Sequence, residues 1–273
     1  MSAGAFTRYV QRSEQVHLLT GMPGNLGDHL IAAGTERALA SRGVAVTPVA
    51  VDEVQGQRRS GCLVVPGSGA FSPLFHEWLP DLVVRAAHLF DQVVIAPSMF
   101  DPEVPEVHRA LSCPNVVAIA READSYRRIR RYGRAGLAID LAMHHPTFDA
   151  SLRPKQPAGG AMLVSMRTDS GSRLSERDLA VHPERNVDIA VAAADLDEYL
   201  DAVRAADHVV TDRLHVVVTA VMTGTRVSYV DPYEQKISYY LAFTFRDEAR
   251  HLVDQVSLDW LVDHELVVCR GAA

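Results

Sequence analysis

The chain lacks several features that mark common classes of protein. It has no run of about 18 consecutive apolar residues, which a membrane-spanning helix requires. Residues 1–14 are polar and lack the apolar core of a secretory signal. Its three cysteines, Cys62, Cys113 and Cys269, are far apart, and no two of them have the spacing of metal ligands. We therefore expect a cytoplasmic protein with reduced thiols and no transmembrane segment, and peripheral contact with a membrane stays open.

An excess of positive charge is also missing. The 273 residues include 27 Lys and Arg against 34 Asp and Glu, which gives a formal net charge of −7. Nucleic acid is therefore not an expected partner, because its phosphate backbone is bound by basic surfaces. The one dense basic run, residues 127–131, is interpreted as a solvated helix face. A local group of arginines can still bind a small anion.

Motifs of several well-known enzyme classes do not occur. The chain has no Gly-x-Ser-x-Gly nucleophile elbow and no Gly-Lys-Ser phosphate loop. Its glycines do not have the spacing of a dinucleotide-binding fingerprint. His144 and His145 are adjacent, so their side chains project differently, and no third ligand accompanies them. The sequence therefore predicts neither a metal site nor a bound cofactor.

Short β-branched runs alternate along the chain with longer helical patterns. Strands are predicted at residues 16–20, 44–51, 62–66, 93–96, 116–120, 137–141, 161–165, 208–211 and 226–230. Helices are predicted at residues 28–42, 70–90, 122–132, 196–205 and 214–222. This alternation is typical of the α/β class, in which helices cover both faces of a parallel sheet.

The alternation lapses between residues 145 and 160, where proline and glycine are frequent. Such a stretch is typical of a linker between domains. We therefore predict two α/β domains, residues 1–150 and 151–273. The last helix has a mixed pattern and is free to pack back on the first domain.

Two glycine-rich turns follow predicted strands. Residues 24–28 read Gly-Asn-Leu-Gly-Asp, and residues 67–69 read Gly-Ser-Gly. Glycine lets a ligand approach the backbone, and the free N–H groups of a following helix attract anions. Because ligands bind at the carboxyl ends of parallel strands, the two turns favour a site there. The first turn alone is just as typical of a plain connection in which Asp28 caps the helix.

Residues 211–215, Thr-Asp-Arg-Leu-His, join a predicted strand to a predicted helix, which Thr211 or Asp212 can cap. Arg213 offers a planar fork that fits a carboxylate or a phosphate. His215 can transfer a proton near neutral pH. Spacing alone leaves a structural role for these side chains open.

Further cations and polar residues follow other predicted strands. Arg167 and Lys236 are suited to the same anion as Arg213. Arg121 and Glu122, with Ser125, stand where a strand passes into a helix. Glu122 also suits an ordinary first helical turn, so this position does not by itself indicate a site.

In this order the stretches resemble the polysaccharide pyruvyl transferase family. The matching pieces are residues 24–31, Arg121 and Glu122 with Ser125, residues 211–215, and Lys236 with Ile237. The chain departs from the family's pattern at Val216, where a glycine is frequent, and at Arg226, where a proline is frequent.

The resemblance implies two Rossmann-like domains in a GT-B-like arrangement, with the active site in the cleft between them. It implies phosphoenolpyruvate as donor and a pair of hydroxyls on a sugar or lipid-linked oligosaccharide as acceptor, in exopolysaccharide biosynthesis. The acceptor would lie on the first domain and the donor on the second. The implied catalytic residues are His215 and Arg213, and the implied substrate-binding residues are Asn25, Gly27, Asp28, Gly67, Ser68, Gly69, Arg121, Ser125, Arg167, Asp212 and Lys236.

Two other functions remain open from the sequence. A nucleotide-sugar glycosyltransferase on the same fold needs an acidic residue that binds the ribose, for which Asp231 and Glu234 are candidates. A non-catalytic member of the family would keep the cations to bind an anionic sugar or a protein. The acceptor sugar and any homo-oligomer are not indicated by the sequence.

Overall fold

The computed structural model describes residues 4–73, 78–148, 152–156, 159, 161–169, 172, 174, 179–231, 235–245 and 248–269. The chain divides into two compact units. The first consists of Met1–Gly24 and Asp28–Pro146, and the second of Asn25–Gly27 and Thr147–Ala273. The sequence pattern does not indicate that the short segment Asn25–Gly27 makes its contacts with the second unit. No helix among the described residues is long and apolar enough to cross a membrane.

The first unit contains a sheet of six parallel strands. They are β1 (Val16–Thr20), β2 (Thr47–Ala50), β3 (Arg59–Val65), β4 (Phe90–Ser98), β5 (Val116–Ala120) and β6 (Ala135–Leu137). Their order is β2-β1-β3-β4-β5-β6, so the direction of winding reverses between β1 and β3. In open α/β sheets, ligands bind outside the carboxyl ends of the strands at such a reversal.

Both faces of this sheet are buried, which explains its continuous apolar strands. Leu63 and Val65 of β3 enter one hydrophobic core, and Cys62 and Val64 enter another. Strands with two covered faces need no alternation of polar and apolar residues. The prediction of a parallel α/β sheet is therefore confirmed.

Five α-helices lie wholly, or for the one that begins at Leu26 mostly, in the described residues of the first unit. They are α1 (Gly4–Val10), α2 (Leu26–Ala40), α3 (Leu79–Leu89), α4 (Pro105–Ser112) and α5 (Ala123–Ile129), with 3-10 helices at Val51–Glu53, Arg130–Tyr132 and Leu141–His144. The helix predicted at residues 70–90 begins only at Leu79, with a proline in its first turn. The short helix α4 was not predicted, and it too begins at a proline.

Two local predictions in the first unit are wrong. Asp28 does not cap α2; it lies inside the first turn, and the side-chain oxygen of Asn25 accepts from the Gly27 N–H at 2.8 Å. The strand predicted at residues 137–141 ends at Leu137. After it, Asp140 accepts from the Ala142 N–H at 2.9 Å and starts a 3-10 helix, so its side chain ends the extended run.

The second unit contains a parallel sheet of four strands and a separate antiparallel pair. In chain order the strands are β7 (Met162–Ser165), β8 (Leu179–Val181), β9 (His208–Thr211), β10 (Arg226–Tyr229), β11 (Val253–Gln255) and β12 (Val267–Cys269). The parallel order is β11-β10-β9-β7, and β8 pairs with β12. The helices are α6 (Ile189–Ala192), α7 (Leu196–Ala205), α8 (Leu214–Met222), α9 (Lys236–Thr244) and α10 (Leu258–Asp263).

The chain's last helix belongs to the second unit's own core. Leu258 and Leu261 of α10 are buried there with Val164 of β7 and Val210 of β9. Apolar burial drives this packing. The possibility that this helix packs back on the first domain stays a prediction.

The predicted linker at residues 145–160 lies partly outside the described residues. The part around Lys155 is held by the second unit, because Lys155 donates to the carbonyl oxygens of Arg204 and Ala206. The Lys155 N–H also donates to the Gly224 carbonyl at 3.0 Å. At least this part of the stretch is therefore packed, which its composition does not indicate.

Candidate functional site

A cavity opens at the carboxyl ends of β1 and β3 in the first unit. Its volume is about 170 Å³. Thr20 at the end of β1, Pro66 after β3, and Asp28, His29 and Glu36 on α2 contribute to its lining. It lies where the sheet reverses its winding, as expected for a ligand site in this topology. Two carboxylates in the lining make it unsuitable for an anionic ligand.

The turn at residues 67–69 closes tightly onto the end of β4. A Cβ atom at Gly67 would lie 2.3 Å from the Pro97 carbonyl oxygen, so only glycine fits. The Ser68 N–H donates to Ser98 Oγ at 3.0 Å, and Ser68 Oγ accepts from the Ala70 N–H at 3.0 Å. Ser68 is buried and serves its own turn. Substrate contacts by Gly67, Ser68 and Gly69 stay a prediction.

Arg121 and Ser125 are engaged inside the first unit. Arg121 donates to Asp140 at 3.0 Å, with the two side chains 1% and 0% exposed. Ser125 is buried, and its Oγ accepts from the Phe100 N–H at 2.8 Å. Glu122 caps α5 by accepting from the Ser125 N–H. These contacts favour structural roles for Arg121 and Ser125, and their predicted contact with substrate remains untested.

Hydrogen bonds from small polar side chains join the ends of β7 and β9 in the second unit. Thr211 Oγ1 donates to the Ser165 carbonyl at 2.6 Å and accepts from the Arg213 N–H at 3.0 Å. Ser165 Oγ accepts from the Ile189 N–H at 3.1 Å. The prediction that Thr211 or Asp212 caps α8 is wrong. Arg213 stands at the cap position, and its side chain accepts no hydrogen bond from the backbone of the helix.

Two arginines at this edge form a chain of ion pairs with two aspartates. We call Arg167, Asp169, Asp188 and Arg213 the Arg–Asp cluster. Arg213 donates through Nε and Nη2 to the two carboxylate oxygens of Asp188. Arg167 donates to both oxygens of Asp169, at 2.8 and 3.0 Å. Arg213 Nη2 also lies 3.4 Å from Asp169 Oδ2, so Asp169 bridges the two guanidinium groups.

Asp212 lies beneath the Arg–Asp cluster and is almost fully buried. Its Oδ1 accepts from the Arg167 N–H at 2.8 Å. Its Oδ2 has no hydrogen-bond partner among the residues the structure describes. Loss of solvation raises the pKa of Asp212 from 3.8 to about 6, although the Arg167 N–H and the two arginines oppose this shift. Asp212 therefore takes up a proton only slightly below neutral pH.

We expect the raised pKa of Asp212 to make stability fall as pH rises from about 4 to about 6. In that window the folded chain binds more protons than the unfolded chain, so ionisation costs about 2–3 kcal/mol of unfolding free energy. Asp212→Asn keeps the oxygen that accepts from Arg167 and cannot ionise. Urea unfolding at several pH values measures this effect. As pH rises from about 4 to about 6, the free energy of unfolding of Asp212→Asn should increase relative to that of wild type.

Asp91 serves as the control, because its pKa is shifted in the opposite direction. The pKa of Asp91 is lowered, chiefly by the Gly61 N–H and then by Arg58. Its ionised form therefore favours the folded state, and that contribution is lost as pH falls. The stability of Asp91→Asn relative to wild type should thus move in the reverse direction with pH. A difference for Asp212→Asn that does not change with pH would contradict a raised pKa at Asp212.

His215 lies in the first turn of α8, half-buried, against the segment Asn25–Gly27 of the same unit. A Cβ atom at Gly27 would lie 2.8 Å from His215 Nδ1 and 2.9 Å from Asn25 Oδ1. Such distances are too short for a real Cβ, so the imidazole rests where only glycine leaves room. The predicted residues Asn25, Gly27 and His215 are therefore neighbours.

Lys236 begins α9, and the start of that helix is fixed by Asp231. Asp231 is buried, and its two carboxylate oxygens accept from the N–H groups of Ile237 at 2.9 Å and Ser238 at 3.0 Å. These bonds give Asp231 a structural role at the start of α9, and ribose binding by Asp231 stays a prediction. Glu234, the other candidate for ribose binding, lies outside the described residues.

The structure adds Asp169 and Asp188 to the residues that the sequence predicts. Asp188 bonds Arg213 across 25 residues of sequence and Asp169 across 44, so no local pattern links them. The only available signal was chemical, since a buried arginine requires an acid nearby. Among the described residues, no group of three or more His, Cys, Asp or Glu side chains is placed to hold a metal ion.

Comparisons with known proteins support the fold and identify the family. A solved structure of a functionally uncharacterized protein from Klebsiella pneumoniae subsp. pneumoniae NTUH-K2044 is similar, with a TM-score of 0.68 and 17% identity. The similarity covers 92% of this chain and 95% of that chain, and at this identity it shows the fold alone. A search of curated proteins finds no match. The family model for polysaccharide pyruvyl transferase matches residues 25–232, which is more than half of the chain, and the protein is therefore a transferase that belongs to the polysaccharide pyruvyl transferase family.

Proposed function

We propose that the protein transfers the pyruvyl group of phosphoenolpyruvate onto two hydroxyls of a sugar and forms a pyruvate ketal. The supporting observation is the pair Arg167 and Arg213 at the carboxyl edge of one sheet, with His215 at the start of the following helix. Guanidinium forks match the carboxylate and phosphate that phosphoenolpyruvate carries. A GT-B-like arrangement, a cytoplasmic location and a role in exopolysaccharide synthesis extend this proposal from the family resemblance.

The addition step of the reaction requires two proton movements, and His215 is suited to one of them. One sugar hydroxyl adds to the enol carbon and loses its proton, while the methylene carbon gains a proton and becomes a methyl group. Inorganic phosphate then leaves, and the second hydroxyl attacks the same carbon and closes the ketal as its proton passes to the released phosphate. An imidazole takes or gives a proton near neutral pH.

The proposed role of the two arginines is to stabilise the negative charge that develops on the phosphate. The backbone of both residues is held in place by hydrogen bonds within the protein. The Arg167 N–H donates to Asp212, and the Arg213 N–H donates to Thr211. Cations held in place at a developing charge usually contribute the largest part of catalysis. Lys236, half-buried at the start of α9, is proposed as a third cation for the same ligand.

The experiment that tests the proposal measures phosphate release. The protein is incubated with phosphoenolpyruvate and a panel of free and lipid-linked sugars, and release is expected only with an acceptor that offers a suitable hydroxyl pair. Phosphoenolpyruvate should also raise the melting temperature, since a ligand that binds the folded state stabilises it. A nucleotide diphosphate sugar serves as the comparison, and a melting shift with it alone would instead favour a glycosyltransferase. No release and no shift with phosphoenolpyruvate would contradict the proposal.

Replacement of Gly27 by alanine should lower turnover through His215. The added methyl group would lie 2.8 Å from His215 Nδ1, so the imidazole must move. Small displacements of a catalytic group cost about 10- to 100-fold in rate, so we expect kcat to fall by this amount. The measurement is kcat and KM for phosphoenolpyruvate, with most of the loss expected in kcat.

A double variant separates this effect from general damage to the fold. If Gly27 acts only through His215, Gly27→Ala should have little further effect in a chain that already carries His215→Ala. Equal losses in both backgrounds would show that Gly27 serves another purpose.

A further inference from the structure

We propose that Asp169 is an internal competitor of the donor: its carboxylate occupies the guanidinium groups of Arg167 and Arg213 and is displaced when an anion with at least two negative charges binds. The proposal rests on the proposed function, because it takes these arginines as the donor's binding groups. It makes Asp169 a determinant of donor specificity.

The geometry of Asp169 is that of a bound ligand carboxylate. Both of its oxygens accept from Arg167, at 2.8 and 3.0 Å, and Oδ2 also lies 3.4 Å from Arg213 Nη2. A carboxylate or phosphate that binds to both arginines would compete with Asp169 for these donor atoms. The arginine side chains are only 11% and 6% exposed, so little of either guanidinium is left open to a second anion.

Asp169 and Asp188 hold the arginines in different ways. The Asp188 side chain is 9% exposed and is bonded to Arg213 through both oxygens. The Asp169 side chain is 48% exposed, and its contact with Arg213 is long. Solvent can replace the arginines around a half-exposed carboxylate at small cost, whereas leaving a buried charge without its partner is expensive. Asp169 is therefore the carboxylate that leaves, and Asp188 the one that stays.

Displacement sets a minimum charge for the ligand. With both aspartates ionised, the two positive and two negative charges of the Arg–Asp cluster cancel. An incoming anion exchanges one aspartate carboxylate for its own groups, so a monoanion gains little over Asp169. A ligand that carries both a phosphate and a carboxylate presents more charge and more acceptor oxygens. The contact thus favours such ligands over simple carboxylates such as pyruvate.

The test compares anion binding to wild type, Asp169→Asn, Asp169→Glu and Asp201→Asn by titration calorimetry. Asp201→Asn is the matched control, because Asp201 also forms an ion pair with an arginine, Arg204, and is exposed. The probes are phosphoenolpyruvate, inorganic phosphate and pyruvate. Loss of the Asp169 charge should tighten phosphoenolpyruvate binding by about 5- to 30-fold, with KM lowered and kcat not raised. Asp169→Glu keeps the charge and should bind close to wild type, as should Asp201→Asn.

The outcomes separate the two proposals. If phosphoenolpyruvate binds to wild type and binds to Asp169→Asn equally well or more weakly, the role of Asp169 is overturned. The assignment of phosphoenolpyruvate as the donor would then still stand. Failure of phosphoenolpyruvate to bind any variant, with phosphate binding tightened by Asp169→Asn, would overturn the donor and support Asp169. If Asp169→Asn tightened pyruvate binding as much as phosphoenolpyruvate binding, the proposed requirement for at least two negative charges on the ligand would be overturned. Equal tightening by Asp201→Asn would show a general effect of net charge and overturn the role of Asp169.

Discussion

Replacement of His215 by alanine is expected to lower turnover by about 10²–10⁴-fold while the chain stays folded. The residue lies half-buried in the first turn of α8, where alanine is an excellent helix former. The reaction then loses the group proposed to move a proton, while the arginines that bind the donor are kept. The measurement is the initial rate of acceptor-dependent phosphate release, with the affinity for phosphoenolpyruvate measured separately.

The control for this variant is His88→Ala, which removes an exposed histidine at the end of α3. Its rate should equal that of wild type. Near-normal turnover of His215→Ala would remove His215 from the chemistry, even if the enzyme still uses phosphoenolpyruvate. A large loss of affinity for the donor with unchanged kcat would make His215 a binding residue.

Replacement of Arg121 by alanine should lower the free energy of unfolding by about 3–5 kcal/mol. The carboxyl group of Asp140 would then stay buried without the guanidinium group of Arg121, since the two side chains are 1% and 0% exposed. The midpoint of urea unfolding measures this loss. If the role of Arg121 is structural, the fraction that stays folded should keep a normal KM for phosphoenolpyruvate.

The comparison for Arg121 is an exposed ion pair in the same unit. Arg109 bonds Asp81 at 2.9 Å, with side chains 56% and 51% exposed. Arg109→Ala should cost less than about 1 kcal/mol, because solvent already screens that pair. A small loss of stability in Arg121→Ala together with a sharply raised KM would instead place Arg121 against the substrate.

Much of the fold could be predicted because the strands are buried on both faces. β1, β5 and β9 coincide with their predicted ranges, since each is a short apolar run bounded by polar or turn residues. The errors occur where a single side chain decides the outcome. Asn25 accepts from the Gly27 N–H at the start of α2, so the helix begins ahead of Asp28. Asp140 accepts from the Ala142 N–H and ends the extended run after β6. Helical periodicity is too weak over the eight residues of α4 to indicate a helix.

The position of Arg213 at a strand end was predictable, and its ion-pair partners were not. Arg213 follows a strand, and parallel strands end at one edge, so its placement follows from the topology. The ion pairs with Asp188 and Asp169 depend on how loops fold back over that edge. Arg121 illustrates the same limit, because Asp140, which buries and neutralises it, is 19 residues further along the chain.

If this edge of the sheet binds an anion as proposed, the hydrogen bonds between the ends of β7 and β9 should place a constraint on residues beyond those that contact the ligand. Ser165 accepts the Ile189 N–H, and Ile189 directly follows Asp188, which orients the Arg213 fork. A relative with an apolar residue at position 165 would leave that buried N–H without an acceptor unless another group supplied one. Selection for anion binding should therefore act on a serine that the anion never meets.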